Sequence, residues 1–555
     1  MTHRLTATER KFTLAIAFAT MAVTCIPYLY VSSHLPTGFL FMGFVDHPYD
    51  MFAYLGRMTD GALGHLFRID KFDSLPQPRI FLDLFWTPLG WASRWTGLSL
   101  VAAFHSMRLL LGAAVIVGTL PFAALFLKRP ADRMLAVALV ATSSGLAFLL
   151  SEQTWKRLFE RYQIAPVDWW FQETITFESL LTNPEFCASA LLLLGMTGWG
   201  YLALVGASRR NLHLAGICTA LLAMIHPIDV PVAAAVLAVF AFVRCYRLGG
   251  WAKSLRVAAG LSAYGLPPLL YLVWVFRANP TFAAWGTATY LSPNWLSYAA
   301  GYGIPLLLAL LGSVASFKRR SSRDLFLLSF FATIPVLLYA PIVFQRRVTL
   351  GWHVPICILA AIGFRAAVLP LVLRLAHRFG PPLSRDGVAL AGAAILVVLS
   401  LPSNVVKLAQ TSRAAAVRFD EKGQAASGPV QEFCVSISEF EAISWLKTSA
   451  TETSGVFCDY RLGQHVPSRA GCNVYVGHWS ETPRFERRRN EVAAVFQIQT
   501  PDDARREILA KSRCRFLLYG PSEAALGGWR PDTAAYLRQV FRAGTVAVYE
   551  VGDKQ

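Results

Sequence analysis

The chain has 555 residues, of which 55% are hydrophobic and 15% charged, with a formal net charge of +18. Soluble domains carry about 25% charged residues, and a mean hydropathy of +0.44 excludes both an ordinary soluble enzyme and an unpacked, disordered chain. The composition is that of a polytopic helical membrane protein. A basic excess of this size fits nucleic acid, anionic lipid or membrane topology, and the positions of the charges decide among them.

A bilayer core of about 30 Å takes roughly 20 apolar residues per helix. After a short basic start, eleven apolar runs qualify as spans: 12–32, 100–127, 132–151, 185–206, 211–226, 228–245, 255–275, 300–317, 325–341, 351–373 and 387–405. No small-residue cleavage pattern closes the first, so it reads as an uncleaved span rather than a signal peptide. The fifth and sixth are short and meet at His226-Pro227. They read either as two spans or as a re-entrant pair.

With the N-terminus in the cytoplasm, the segments on that side hold twenty Lys and Arg against four acids, Glu9, Asp132, Asp324 and Asp386. The opposite loops hold 12 basic and 13 acidic residues, and the tail from 406 holds 20 and 17. The excess is therefore a positive-inside signal and not a nucleic-acid footprint. The expected organisation is a transmembrane domain over 1–405, with a long outer loop over 33–99, followed by an exported α/β domain over 406–555.

Within the tail, 438–450 shows helical spacing at Phe440, Ile443 and Leu446, and Asp502 and Asp503 mark a helix start for 501–511. Strand patterns at 455–458, 473–476, 515–519 and 545–549 alternate with these helices, which predicts a small, mostly parallel sheet. Residues 425–429 read as an entry loop. Cys434, Cys458, Cys472 and Cys514 lie in the tail, on the side where disulfides persist. At least one bridge is expected there, Cys458 with Cys472 being one candidate pair. No cysteine or histidine spacing matches a zinc site, and no metal is expected from cysteine.

In the first loop, Met51, Leu55, Met58 and Ala62 recur at i, i+4, i+7 and i+11. This apolar stripe predicts a short helix lying at the membrane surface, with Pro48 in its first turn. Asp46 and Asp50 then sit at or in that turn, where unpaired N–H groups favour acids. Asp46 reads equally well as a helix cap. A carboxylate such as Asp50 in a cleft can instead deprotonate an acceptor hydroxyl or amine.

The second outer loop interleaves Asp168, Trp169, Trp170, Glu173 and Glu178. Acids and rings in this pattern grip sugars, the carboxylates taking hydroxyls and the rings covering apolar faces; an interfacial aromatic belt is the plainer alternative. Glu173 is the favoured second acid, able to hold an acceptor or orient Asp50. Arg346 and Arg347 are basic against the bias of their side, and arginine presents a fork to phosphate oxygens. Pairing with lipid head groups or an outer-loop acid is the other reading. Arg277 is a weaker partner, and Trp352 and His353 follow the arginine pair. His226 reads as structural, and His465 and His478 as caps or packing residues.

These features resemble the GT-C superfamily of polytopic membrane glycosyltransferases. Asp50-Met-Phe-Ala-Tyr54-Leu55 matches an Asp-x-x-x-Tyr-Leu start, and 176–184 and Phe344-Gln-Arg346-Arg347 match later outer-loop motifs. Gly463-Gln-His-Val-Pro467 and Tyr475-Val-Gly477-His478-Trp479-Ser-Glu481-Thr482 match a tail motif. Asp46 and Asp50 stand four apart, where some members carry adjacent acids. The resemblance implies an inner-membrane, multi-pass transferase with a periplasmic tail. Its donor would be a polyprenyl-phosphate-linked sugar, its acceptor a lipid, glycan or protein. Asp50, or Asp46, would be the base, with Glu173 assisting. Arg346 and Arg347 would neutralise the departing lipid phosphate, aided by Arg277, Asp168, Trp169 and His353 as substrate contacts. No cofactor is implied, and nothing in the sequence supports a divalent metal. Two rivals stand beside this reading: a transporter or flippase of lipid-linked glycans, and an inactive scaffold with an envelope-binding tail.

Overall fold

The computed structural model describes residues 4–35, 37–206, 208–283, 289–379, 384–416 and 433–552. The entry loop expected at 425–429 lies outside the described residues. The chain is mostly helical, and each of the eleven expected spans overlaps a helix. Among the described residues, eight helices are long and apolar enough to cross a membrane: Ala7–Ser33, Leu100–Ala123, Pro184–Gly206, Asp229–Leu248, Trp251–Ala278, Trp295–Arg319, His353–Leu375 and Arg385–Arg413.

The other three fall short. Pro130–Thr142 has 13 residues, and Arg209–Ile225 and Ser322–Leu338 have 17 each. At 1.5 Å per residue, 13 residues reach about 20 Å. Pro130–Thr142 stops because Ser144 turns out of the helix, its N–H and hydroxyl both donating to the Ser400 carbonyl at 2.7 and 2.9 Å. Arg209–Ile225 stops at His226, where Pro227 disfavours helical backbone in the preceding residue.

The chain divides into two compact units. The first comprises Met1–Ile26, Ser106–Leu270 and Thr289–Gln410. At its centre, every residue of His353–Gly363 is buried, as expected of a helix that is apolar all round. This helix meets Trp295–Arg319 at two glycines: a Cβ on Gly363 would lie 2.0 Å from the Leu308 carbonyl, and one on Gly312 would lie 2.0 Å from that of Leu359. Buried charge is held by ion pairs or hydrogen bonds. Arg133 Nε meets Glu9 Oε1 at 2.6 Å, and Arg108 donates to Thr24 and to the Leu180 carbonyl, both at 2.9 Å.

The second unit comprises Pro27–His105, Tyr271–Ala288 and Thr411–Gln555. The long first loop and the tail are thus built together. A two-stranded antiparallel ribbon joins β1 (Phe39–Phe41) to β2 (Cys434–Ser436). The tail sheet has five strands: β3 (Gly455–Phe457), β4 (Asn473–Val474), β5 (Cys514–Tyr519), β6 (Leu537–Ala543) and β7 (Val546–Val551), in the order β4-β3-β5-β7-β6. Only the β3–β4 and β3–β5 pairs are parallel. The sheet is therefore mixed, and the expected mostly parallel sheet is corrected. The cause is β6, which the strand pattern did not show: it joins β7 through a tight turn at Gly544, whose φ of 53° suits glycine, and so runs antiparallel.

The loop is bound to the tail by ion pairs, one of them buried. Asp60, fully buried, accepts from Arg79 at 2.8 Å, and Arg79 reaches Glu452 at 2.7 Å. Arg488 meets Asp73 at 2.8 Å. The disulfide expectation is also corrected. All four tail cysteines are buried, and Cys458, Cys472 and Cys514 are free, which leaves no pair among the four to bridge. Burial pushes the Cys458 thiol well above its ordinary range, and the Cys472 and Cys514 thiols face nearby carbonyls, of Ala470 and Ser512.

Candidate functional site

The predicted loop helix forms, over Pro48–Leu63. Met51, Leu55 and Met58 are fully buried, but in protein and not against a lipid surface. The Phe52 ring stands edge-on to His465 at 4.3 Å, and the Thr59 hydroxyl donates to the Pro467 carbonyl at 3.1 Å. The surface-helix expectation is corrected accordingly: the stripe is satisfied inside the second unit. The entry to the helix is unusual. His47, not Asp46, occupies the cap, with left-handed φ 45° and ψ 47° immediately before Pro48 and no side-chain cap bond. Such backbone is costly for a non-glycine residue and collects at functional sites. Asp46 Oδ1 lies 3.1 Å from His47 Nδ1.

One turn on, Asp50 projects from the first turn of the helix. Its Oδ1 lies 3.2 Å from His478 Nε2. The tautomer follows from the other ring nitrogen. The Ser480 backbone N–H, which can only donate, points at His478 Nδ1 at 3.4 Å, so Nδ1 is the acceptor and Nε2 carries the proton donated to Asp50. The histidine side chain is 4% exposed and that of Asp50 40% exposed. A buried donor therefore holds one carboxylate oxygen of an accessible base.

Asp50, Tyr54 and Arg57 share one helix face at spacings of four and three. Arg57 lies over the Tyr54 ring, 5.3 Å from its centroid, and Tyr54 stacks on Trp86 at 4.4 Å. Arg57 Nε donates to the buried Glu481 at 2.9 Å. Beside this pair, burial and the Glu481 charge push the Asp70 carboxyl well above its usual range. The loop motif at 50–55 and the tail motif at 475–482 are thus one constellation. Of the histidines read as packing residues, His478 is a contact of Asp50. Its own sequence position carries no sign of that pairing.

In the first unit, Arg346 and Arg347 lie in the short helical turn Gln345–Thr349. Both residues are partly buried, and their guanidinium groups stand over rings, Arg346 4.4 Å from Phe171 and Arg347 4.1 Å from Tyr290. The turn is fixed by the Arg346 N–H, which donates to the Tyr290 carbonyl at 3.1 Å. Glu173, buried, and Arg346 both lie within electrostatic range of the Tyr298 hydroxyl. Arg347 is likewise close to His226, which pairs with Asp229 at 2.9 Å.

The remaining candidates are placed differently. Asp168 is buried at 1% exposure, its Oδ2 accepting the Gly145 N–H at 2.9 Å, and burial raises its carboxyl to about 7. Trp169 is buried and its carbonyl accepts from Lys407 at 3.0 Å. His353 is buried, 3.0 Å from the Thr176 hydroxyl and 3.1 Å from that of Ser143. Arg277, in the second unit, is exposed. Among the described residues, no three His, Cys, Asp or Glu side chains gather as a metal site.

No family model matches the chain, and no curated protein matches it in sequence. Its fold is shared with solved membrane transferases. The oligosaccharyltransferase AglB from Archaeoglobus fulgidus, in complex with an inhibitory peptide and a dolichol-phosphate, aligns with a TM-score of 0.53 at 12% identity, covering 96% of this chain and 73% of that one. ArnT from Cupriavidus metallidurans, bound to undecaprenyl phosphate, gives 0.52 at 13% identity, covering 97% and 99%. The arabinofuranosyltransferase AftD from Mycobacteria gives 0.51 at 13% identity, covering all of this chain and 40% of that one. The chain therefore has the GT-C fold over most of its length.

Proposed function

We propose that the protein moves a sugar from a polyprenyl-phosphate-linked donor to an acceptor at the outer face of the inner membrane. The single observation that carries this reading is the accessible Asp50 carboxylate held by the buried His478, on a fold shared with transferases. The solved ArnT contains undecaprenyl phosphate and the solved AglB a dolichol-phosphate, which supports a lipid-linked donor.

In this reading Asp50 takes the proton from the acceptor as it attacks the sugar's anomeric carbon, and His478 fixes the orientation of the carboxylate. The bond from the sugar to the lipid phosphate breaks, leaving charge on that phosphate. Arg346 and Arg347, in the first unit, offer fork geometry to a lipid phosphate. The rings of Phe171 and Tyr290 lie against their guanidinium groups. Glu173 supports the arginine side. Asp46, against His47, tunes the entry to the Asp50 helix.

The test uses purified full-length protein in nanodiscs with undecaprenyl phosphate as the probe. Binding that falls in Arg346→Ala and Arg347→Ala but persists in Asp50→Asn supports the assignment of roles. Binding indifferent to both arginines removes them from the donor site.

A further inference from the structure

A second concavity lies wholly within the first unit, apart from every residue assigned to transfer. It has a volume of about 1150 Å³. Six cations line it: Arg4, Lys128, Arg129, Arg319, Arg323 and Arg365. Among the described residues two acids line it, Asp132 and Asp324, and each is engaged. Arg365 Nε reaches both Asp132 oxygens at 2.7 Å, and Arg319 meets Asp324 Oδ1 at 2.6 Å. The lining thus carries four more positive than negative charges.

The floor is of opposite character. Leu125, Phe126, Tyr201 and Ile362 line it, and Tyr201 is buried. Two helices also begin here. Ser322–Leu338 is capped by Ser321, whereas Pro130–Thr142 starts at Arg129 with no side-chain cap, which adds the positive end of a helix to the cations. Topological bias scatters basic residues along loops. It does not by itself gather six of them around one hollow with an apolar floor.

We infer that this cavity binds a phosphate-bearing anion, and that the anion is the head group of an anionic phospholipid whose acyl chains meet the apolar floor. Arginine forks suit phosphate oxygens, and basic pockets between membrane helices hold such head groups. Arg323 is hydrogen-bonded to Tyr201, whereas Lys128, Arg129 and Arg4 are exposed and take no part in the two salt bridges, so these three face the ligand.

The experiment follows the thermal unfolding midpoint of detergent-purified full-length protein with short-chain phosphatidylglycerol, short-chain phosphatidylcholine or inorganic phosphate. Native mass spectrometry counts bound lipid in parallel. The partner variant is Lys128→Gln with Arg129→Gln, both on the surface. The expected result is a rise with phosphatidylglycerol, none with phosphatidylcholine, and an affinity weakened by about tenfold or more in the double variant, at roughly fivefold per cation. A rise with inorganic phosphate that the same variant abolishes supports the anion site and assigns it to the free ion. Equal responses to both lipids, or a variant that responds as the parent does, overturn the proposal. Should the double variant fail to purify, Arg4→Gln is measured by the same lipid count: a lowered count supports the site, and an unchanged count overturns it.

Discussion

His478 donates its Nε2 proton to Asp50, 428 residues earlier in the chain, at 3.2 Å. The tail thereby supplies the orienting partner of an acid borne on the first loop, and both belong to one compact unit. The neighbouring Arg57–Glu481 bond makes the same connection two turns along the same face. A tail that contributes to the constellation in this way is more than an appended module.

The first prediction concerns that donor. His478→Gln keeps a side-chain N–H but moves it, and His478→Ala removes it. Misplacing a reacting group by about 1 Å costs on the order of 10²-fold in rate. The expected outcome is a fall in kcat of roughly that size in His478→Ala, a smaller fall in His478→Gln, and little change in KM for the donor. A matching rise in KM without loss of kcat would instead make His478 a binding residue.

The second concerns the arginine pair. Replacing Arg346 or Arg347 by Ala removes charge-assisted hydrogen bonds, each worth about 1.5–3 kcal/mol. Undecaprenyl phosphate affinity should fall about tenfold or more per substitution. Lysine at either position keeps the charge but not the fork, and should give an intermediate affinity by titration.

The third concerns pH. Glu523 is fully buried and accepts the N–H groups of Asp459 and Gly520 at 2.8 and 2.9 Å. Burial, then the Asp459 charge, pushes its carboxyl up to about 8. The folded state thus holds this proton more tightly than the unfolded chain. Its contribution to stability is complete below the ordinary glutamate range and is lost as pH rises through about 8. The unfolding midpoint should decline across that window, and Glu523→Gln should flatten the decline. Parallel profiles would contradict the assignment.

The fourth concerns packing beneath the site. A Cβ on Gly61 would lie 2.1 Å from the Thr87 carbonyl, and one on Gly90 would lie 2.0 Å from that of Met58. These glycines let Pro48–Leu63 meet Trp86–Thr96 closely. Gly61→Ala and Gly90→Ala should each destabilise by roughly 1–3 kcal/mol, read as lowered unfolding midpoints, with activity lost in step.

Much of the fold is legible in the sequence because it depends on local pattern. The membrane runs show in composition, and the helix over Pro48–Leu63 shows in Met51, Leu55 and Met58. Hydropathy does not show where a run ends. Pro130–Thr142 stops at a hydrogen bond to Ser400, far along the chain, so counting apolar residues extends it too far. Strand β6, with the sequence Leu-Arg-Gln-Val-Phe-Arg-Ala, alternates weakly and is recognisable as a strand only beside its partner β7. In the site, the acids and arginines stand out by type and by their side of the charge bias. His478 does not, because a histidine gains its meaning from its partner. The left-handed His47 gives no sign either: backbone conformation before proline is set by the surrounding packing. The tail cysteines mislead because compartment argues for bridges while geometry decides them.

The most direct test is sugar transfer by Asp50→Asn. The variant keeps a side chain of the same shape at a partly exposed position, so the fold and undecaprenyl phosphate binding should persist. With no carboxylate to take the acceptor's proton, release of polyprenyl phosphate from a polyprenyl-phosphate-linked sugar, followed by mass spectrometry in native membranes, should fall to background. Transfer at the parent rate in Asp50→Asn, with the variant folded and binding lipid, would contradict the account.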